Sequence, residues 1–398
     1  MAKHKKTKVE KVLYKKISRR EFIKKAAIGV GAVCVGAYAI SQLLKSPVES
    51  RTFSNDAPAE LWKWSKEAYH YTSLGANVQC NVCPNQCFLE YNARSVCRVK
   101  VNKQGKLYTL AYGNPCAVHI DPIEKKPLYH FLPSTTAFSI ATAGCTFRCL
   151  NCQNWQISQA KPEETKNYDL MPEQVVERAA SSGCKSIAYT YSEPTAFYEY
   201  MYDSSKLARA QGIKNVWITN GSMNKDALLD FCQYLDGANV DLKSFDEDIY
   251  NKLNAGRLKP ILETLKTLKE QGVWFEITNL IVPTWTDDYD MIKEMSEWIY
   301  KNIGPDYPVH FSRFNPMYKL THLPPTPTTT LEKARQIALD AGIKHVYIGN
   351  VPMHSANNTY CSKCGKILIE RKGYQVKQNN IESGACKFCG EEVKGVWL

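Results

Sequence analysis

Three cysteines, Cys145, Cys149 and Cys152, fall within eight positions of the segment GCTFRCLNCQNW, residues 144–155. A self-contained zinc site or iron–sulfur cubane takes four protein ligands, so three thiolates on one short loop leave a coordination position open. An open position marks a catalytic metal centre, whereas structural centres are closed. The alternative is an ordinary zinc or cluster site that borrows a distant fourth cysteine, such as Cys116 or Cys184. Two further cysteine sets stand apart from this loop. Cys80, Cys83, Cys87 and Cys97 have C-x2-C-x3-C-x9-C spacing, which reads as a second metal site, zinc or iron–sulfur, against buried free thiols in a cap. Cys361 and Cys364 in CSKCG, with Cys386 and Cys389 in CKFCG, form two knuckles around the β-type run KILIERKGYQV. Four thiolates so arranged predict a closed tetrahedral site, a structural zinc ribbon, with rubredoxin-like iron as the alternative. A segment of about forty residues buries too little core to fold without such a staple. The remaining cysteines, Cys34, Cys116, Cys184 and Cys232, read as buried thiols.

The elements that would position these loops alternate in type from residue 137 onward. Strands are predicted at 138–144, 186–192, 215–221, 237–243, 273–282, 309–314 and 345–351. Helical stretches lie between them near 172–182, 195–211, 223–235, 258–271, 287–303 and 331–341. Pro172 and the Thr-rich run before Leu331 signal helix starts, and Gly212, Gly272 and Gly342 signal ends. Alternating βα units require a parallel sheet with right-handed crossovers. Six or seven of them predict an α/β fold: a partial or complete parallel β/α (TIM-like) barrel, with a doubly wound sheet as the alternative. No glycine-rich phosphate fingerprint follows the first strand, which disfavours dinucleotide binding. In such a barrel chemistry sits at the C-terminal strand ends. Those ends carry the cysteine loop, Ser192-Glu193-Pro194, Asn220-Gly221, Asp241 and Lys243, Thr278 and Asn279, Arg313 and Asn315, and Gly349 and Asn350. His119, Asp121 and His130, before the first strand, are candidates to face a substrate or to serve as hydrogen-bonded structural groups. The resulting plan is a signal or anchor over 1–39, a linker over 40–77 docked by Trp62 and Trp64, a Cys-rich cap over 78–134, the barrel over 135–355 and the four-Cys tail over 356–398.

The net charge of +12 is concentrated at one end. Residues 1–39 hold eleven Lys/Arg against two Glu, or +9, leaving only +3 for the rest. A nucleic-acid partner is therefore not expected. The segment SRREFIK at 18–24, followed by AAIGVGAVCVGAYAI at 26–40, resembles a twin-arginine translocation signal with Arg19 and Arg20 as its pair. It predicts export or tethering, with membrane contact through residues 1–40; the alternatives are a basic arm with a surface-lying helix and a cytoplasmic protein. Val33 before Cys34 makes that cysteine a poor lipid-attachment site.

The C-x3-C-x2-C loop at the mouth of a β/α barrel resembles the radical S-adenosylmethionine (radical SAM) superfamily. The resemblance implies a [4Fe–4S] cluster on Cys145, Cys149 and Cys152 whose open iron binds S-adenosylmethionine. It also implies a one-electron donor such as flavodoxin or ferredoxin, and a 5′-deoxyadenosyl radical that abstracts hydrogen from a substrate. The family's aromatic residue before the third cysteine is Asn151 here, with Phe147 or Trp155 as substitutes. Its Gly-Gly-Glu segment corresponds to Tyr191-Ser192-Glu193-Pro194, where both glycines are replaced. TNG at 219–221 and DLK at 241–243 resemble pyruvate formate-lyase activating enzyme, which implies that Asn220, Gly221, Asp241 and Lys243 border the cofactor. Across about residues 78–398, motifs such as CNVCPNQC, HIDPIEKKPLYHFLP, CQNWQIS, YTYSEPT and LPPTPTTTLEKA resemble the radical SAM enzyme of the AmmeMemoRadiSam system. That resemblance implies Memo-like and AMMECR-like partners by association and supplies no substrate. The competing expectations are a glycyl-radical activase and, outside enzymes, an electron carrier or metal-bound scaffold.

Overall fold

Eight strands share one sheet: β1 (Ala117–Pro122), β2 (Thr136–Ala141), β3 (Ser186–Tyr189), β4 (Lys214–Thr219), β5 (Gly237–Asp241), β6 (Trp274–Ile281), β7 (Val309–Arg313) and β8 (Val346–Gly349). They come from a computed structural model that describes residues 58–397; the twin-arginine segment and residues 40–57 of the expected linker lie outside the described residues. Strands β2 to β8 pair in parallel and in chain order, and β1 adds antiparallel to β2 with Asp121 opposite Ala137. The edge strands β1 and β8 do not pair with each other, so the barrel is partial. The sequence places 117–122 in the loop that leads to the first predicted strand. Its exposed His119 and Ile120 and terminal Pro122 carry no buried-strand pattern, and an edge strand needs none. Among the described residues no helix is long and apolar enough to cross a membrane.

Helices α1 (Pro172–Ser181), α2 (Tyr198–Ala210), α3 (Lys225–Cys232), α4 (Leu258–Glu270), α5 (Tyr289–Asn302) and α6 (Thr328–Asp340) follow the strands as read from the sequence. Pro172 opens α1, and Asp288 caps α5 by accepting from the Met291 N–H. Alternate strand residues, among them Phe275, Ile277, Phe311 and Ile348, join the core formed with the helices. Each such side chain contributes about 1.5–3 kcal/mol by leaving water. Several of the intervening residues, which face the barrel interior, are polar: Thr278 donates to Asn239 at 2.9 Å, and His310 Nε2 meets Glu276 at 2.6 Å.

The N-terminal ends of the strands are closed by the chain's own segments. His130 donates its backbone N–H to Glu276 (2.7 Å), and its ring meets the Lys394 carbonyl (2.9 Å) and the Tyr347 hydroxyl (2.6 Å). Val396 N–H donates to the His130 carbonyl, and Leu132 N–H to the Val396 carbonyl. His130 is thus a structural group at the floor, not one facing a substrate.

The linker expectation is corrected for residues 58–77. Lys66–Glu67 pairs with Lys106–Thr109, and Tyr71–Leu74 pairs with Asn77–Cys80, so this stretch supplies strands of the cap. Trp62 packs edge-on against Tyr108, as its docking role anticipates. A fully buried ion pair between Lys100 and Glu199 of α2 fixes the cap to the barrel. In the tail, Ile367–Lys372 and Gln375–Asn379 form a hairpin. Arg371 on that hairpin donates to the Tyr129 carbonyl at 2.8 Å and to Thr359 Oγ1 at 2.8 Å, tying the tail to the barrel.

Candidate active site

The loop after β2 carries Cys145, Cys149 and Cys152, and their side chains converge, since the Cys145 thiol feels both of the others. Burial pushes all three thiols up, Cys152 to about 11. Thiols held in this state ionise when a metal replaces their protons. The loop's backbone is clamped from the far side. Arg148 N–H donates to the Asn254 carbonyl (2.9 Å) and Leu150 N–H to the Leu253 carbonyl (2.8 Å). These acceptors belong to one π-helical turn, Tyr250–Asn254, a geometry that recurs at functional sites. Cys116 and Cys184 do not complete the set: the Cys116 thiol faces Thr165, and Cys184 accepts from Thr136 at the start of β2.

Glu193, after β3, is buried and accepts from Thr195 N–H (3.0 Å), Thr195 Oγ1 (2.7 Å), Thr219 Oγ1 (2.7 Å) and Asn220 N–H (2.8 Å). Burial raises its pKa while these donors pull it back. The carboxylate therefore locks the end of β4 to the end of β3. Asn220 in turn donates to Thr146 Oγ1 at 3.0 Å and reaches Cys145 Sγ at 3.9 Å. Ser192 Oγ donates to the Thr142 carbonyl (2.7 Å), tying the same turn to the root of the cysteine loop. Gly221 has φ +73, and a Cβ there would sit 2.9 Å from Val240 Cγ1, so the TNG turn requires glycine. Replacing Glu193 with alanine strands three or more buried donors, each costing about 1–3 kcal/mol. The expected result is a loss of at least about 3 kcal/mol in urea unfolding, with Glu193→Gln recovering part of it.

Asp241 and Lys243 pair at 2.6 Å at the end of β5. Burial opposes the Lys243 charge, but Asp241 and the Cys149 thiol outweigh it and hold its pKa well above the usual value. Lys243 in turn favours a thiolate at Cys149. Tyr250 accepts the Lys243 N–H at 3.0 Å, and the fully buried Asn254 side chain adjoins Cys149. Thr278 faces the interior, but Asn279 points outward, donating to the Leu242 carbonyl and packing on Met295 beneath α5. That removes Asn279 from the site.

A cavity of about 360 Å³ adjoins the loop, lined by Asn151, Leu280, Arg313, Asn315, Asn350 and Tyr374 among others. Asn151 Oδ1 is buried without a hydrogen-bond partner. On another side of the loop, Tyr191 donates to Asp121, which also accepts from Lys126 at 2.6 Å. Burial pushes the Lys126 ammonium down to about 8 despite that partner.

A model of the radical SAM superfamily matches residues 139–299, which span β2 to α5 and include all three cysteines. Over 331 residues the chain is 46% identical to an uncharacterized protein of Methanocaldococcus jannaschii, covering 82% of this chain and 98% of that one. The chain belongs to the radical SAM superfamily. It is also 26% identical to pyruvate formate-lyase 1-activating enzyme of Escherichia coli over 51% of its own length and 89% of that enzyme's. Among solved structures, a radical SAM methyltransferase from Sphaerobacter thermophilus aligns with TM-score 0.44 and 12% identity, covering 78% of this chain and 84% of that one, a likeness too distant to bear on activity.

Family membership implies a [4Fe–4S] cluster and S-adenosylmethionine, and the residues fit both. Three convergent soft thiols match the cluster's open coordination. The unpartnered Asn151 acceptor beside the cavity matches a ligand that brings hydrogen-bond donors. Asn151 itself lines the cavity where a radical SAM aromatic was expected, and Phe147 does not replace it. Phe147 is buried, with its ring 2.5 Å from where a Cβ on Gly256 would stand. Trp155 instead stacks on Tyr318 at the rim, with centroids 5.3 Å apart. Tyr250 and Asn254 were missed, because nothing in the spacing of YNKLN announces a π-turn that clamps a distant loop.

The tail set is compact. Cys361 and Cys389 thiols lie 3.6 Å apart, those of Cys364 and Cys386 3.8 Å, and all four lie within 4.8 Å of one another. A tetrahedral ion with metal–sulfur bonds near 2.3 Å sets its ligands roughly this far apart.

Proposed function

We propose that this radical SAM protein reductively cleaves S-adenosylmethionine and uses the product to abstract hydrogen from a substrate bound in the cavity beside Asn151. The observation that carries this reading is the three-thiol loop opening beside a cavity at the C-terminal strand ends. A [4Fe–4S] cluster and S-adenosylmethionine bound here would supply one-electron reductive cleavage, with methionine as the leaving group, and a carbon-centred radical for the abstraction. The chain's own residues do the rest. Cys145, Cys149 and Cys152 would hold the cluster, Lys243 favours the ionised form of Cys149 and Cys152, and Asn220, held by Glu193, sets the position of Cys145 and Thr146. Arg313, Asn315 and Asn350 offer the cavity hydrogen-bonding groups for a polar substrate. Anaerobically reconstituted protein with a strong reductant is expected to convert S-adenosylmethionine to methionine and 5′-deoxyadenosine. A full complement of cluster without that product would refute the reading.

The Escherichia coli relative favours a second reading, activation of a glycyl-radical enzyme. Mixing the reduced protein with a glycyl-radical candidate should then generate the doublet EPR signal of a glycyl radical. The motifs from CNVCPNQC to LPPTPTTTLEKA support membership of the AmmeMemoRadiSam group, with Memo-like and AMMECR-like partners testable by co-purification. The tail's size and four thiols support zinc as its ion, which metal analysis checks directly.

A further inference from the structure

The four cap cysteines are buried, at 5–8% exposure, and drawn into one place. Cys80 and Cys87 sit on adjacent strand ends, where the Cys80 N–H donates to the Cys87 carbonyl at 2.9 Å. Cys83 lies on the turn between them. Cys97 comes from a separate loop, yet each of the four thiols lies within electrostatic reach of the other three. Their sulfurs are dressed as ligands are: Val96 N–H points at Cys87 Sγ (3.5 Å), and the Ser95 hydroxyl meets Cys97 Sγ (3.0 Å). The Lys100 ammonium adds a buried positive charge beside them.

Zinc or iron–sulfur is decided by size. A single tetrahedral ion gathers its sulfurs as closely as the tail does. Among the described residues, only the tail set brings three or more ligand atoms within 4.8 Å of one another. Neither the cap four nor Cys145, Cys149 and Cys152, the set read as cluster ligands, gathers three thiols that closely. A cluster spreads its thiolates because they bind different irons. We infer that Cys80, Cys83, Cys87 and Cys97 hold a second iron–sulfur cluster, closed by four protein ligands. The cap set packs against the loop that carries Cys145, Cys149 and Cys152. A Cβ on Gly144, the residue before Cys145, would meet the Cys97 carbonyl at 2.4 Å, and Asn85, between Cys83 and Cys87, donates to the Thr146 carbonyl at 2.9 Å. The cap therefore rests directly on the root of the active-site loop.

The comparison of sizes rests on the cluster reading of the active-site loop, but the test separates the two. Iron, acid-labile sulfide and zinc are counted on anaerobically reconstituted full-length protein, on a Cys145→Ala/Cys149→Ala/Cys152→Ala variant and on a Cys83→Ser/Cys87→Ser variant. The native protein should carry about eight irons and eight sulfides, and the triple variant about four of each. Its reduced EPR signal should not respond to S-adenosylmethionine. The double variant should lose its share of sulfide while the remaining signal still responds. A triple variant without sulfide, or with an additional zinc in its place, overturns the inference. Should either variant precipitate, the native count decides: about four sulfides overturns it, and more supports it. Lack of any S-adenosylmethionine response in the native protein would instead count against the proposed function and leave the sulfide count standing.

Discussion

Replacing Cys149 with alanine is expected to reduce 5′-deoxyadenosine formation at least about 10³-fold, equivalent to roughly 4 kcal/mol of barrier. Of the three loop thiols, Cys149 is the one that the Lys243 ammonium and the Asn254 side chain both address. Removing it leaves two protein ligands for a cluster that needs three, and leaves the half-buried Lys243–Asp241 pair without its thiolate neighbour. Iron bound at the loop should fall with activity, while unfolding by urea should shift little. Cys184→Ala is the control. That thiol is buried beside Thr136, so its loss should leave iron content unchanged. If Cys184→Ala removes iron as well, the open-site assignment fails in favour of a four-cysteine site.

The second large effect is expected from the tail. Cys364→Ser should abolish the metal binding proposed for the tail and unfold the ribbon, since metal binding in such modules supplies about 10 kcal/mol of folding free energy. The consequence should reach the cavity, because the hairpin turn Gly373–Tyr374 lines it and Arg371 holds the Tyr129 carbonyl. Limited proteolysis should cut within 361–390, and the KM for substrate should rise more than kcat falls. Unchanged protease resistance after complete loss of the ion would contradict this view of the tail.

Much of the positioning was legible from periodicity. The strand ends that bear Ser192, Asn220 and Asp241 were read from apolar runs, because a buried parallel strand is almost purely apolar and its C-terminal boundary shows as the first polar residues. Short cysteine spacings made all three thiol sets visible. What the sequence hid was of two kinds. Edge strand β1 hid because exposure at the consecutive His119 and Ile120, and a proline, erase the alternating apolar signal. The clamps hid because they join residues far apart: Asn254 to the loop at 148–150, Glu193 to Thr219 and Asn220, and the floor contact of His130 with Lys394. Glu193 is singled out by its motif, but the two donors that give it a positioning role, Thr219 and Asn220, reach it only when β3 and β4 lie side by side.

The floor of the barrel has a consequence for how the molecule reaches its native state. His130 and Lys394 are separated by 264 residues, and nearly every βα unit lies between them. Bringing such distant segments together carries a large loop-closure entropy, so local βα pairings form first and this contact forms late. Interactions absent from the folding transition state act chiefly on the rate of unfolding. The seal of 394–397 against 130–132 therefore works as a latch: loosening it should leave refolding rates nearly unchanged and shorten the lifetime of the folded protein.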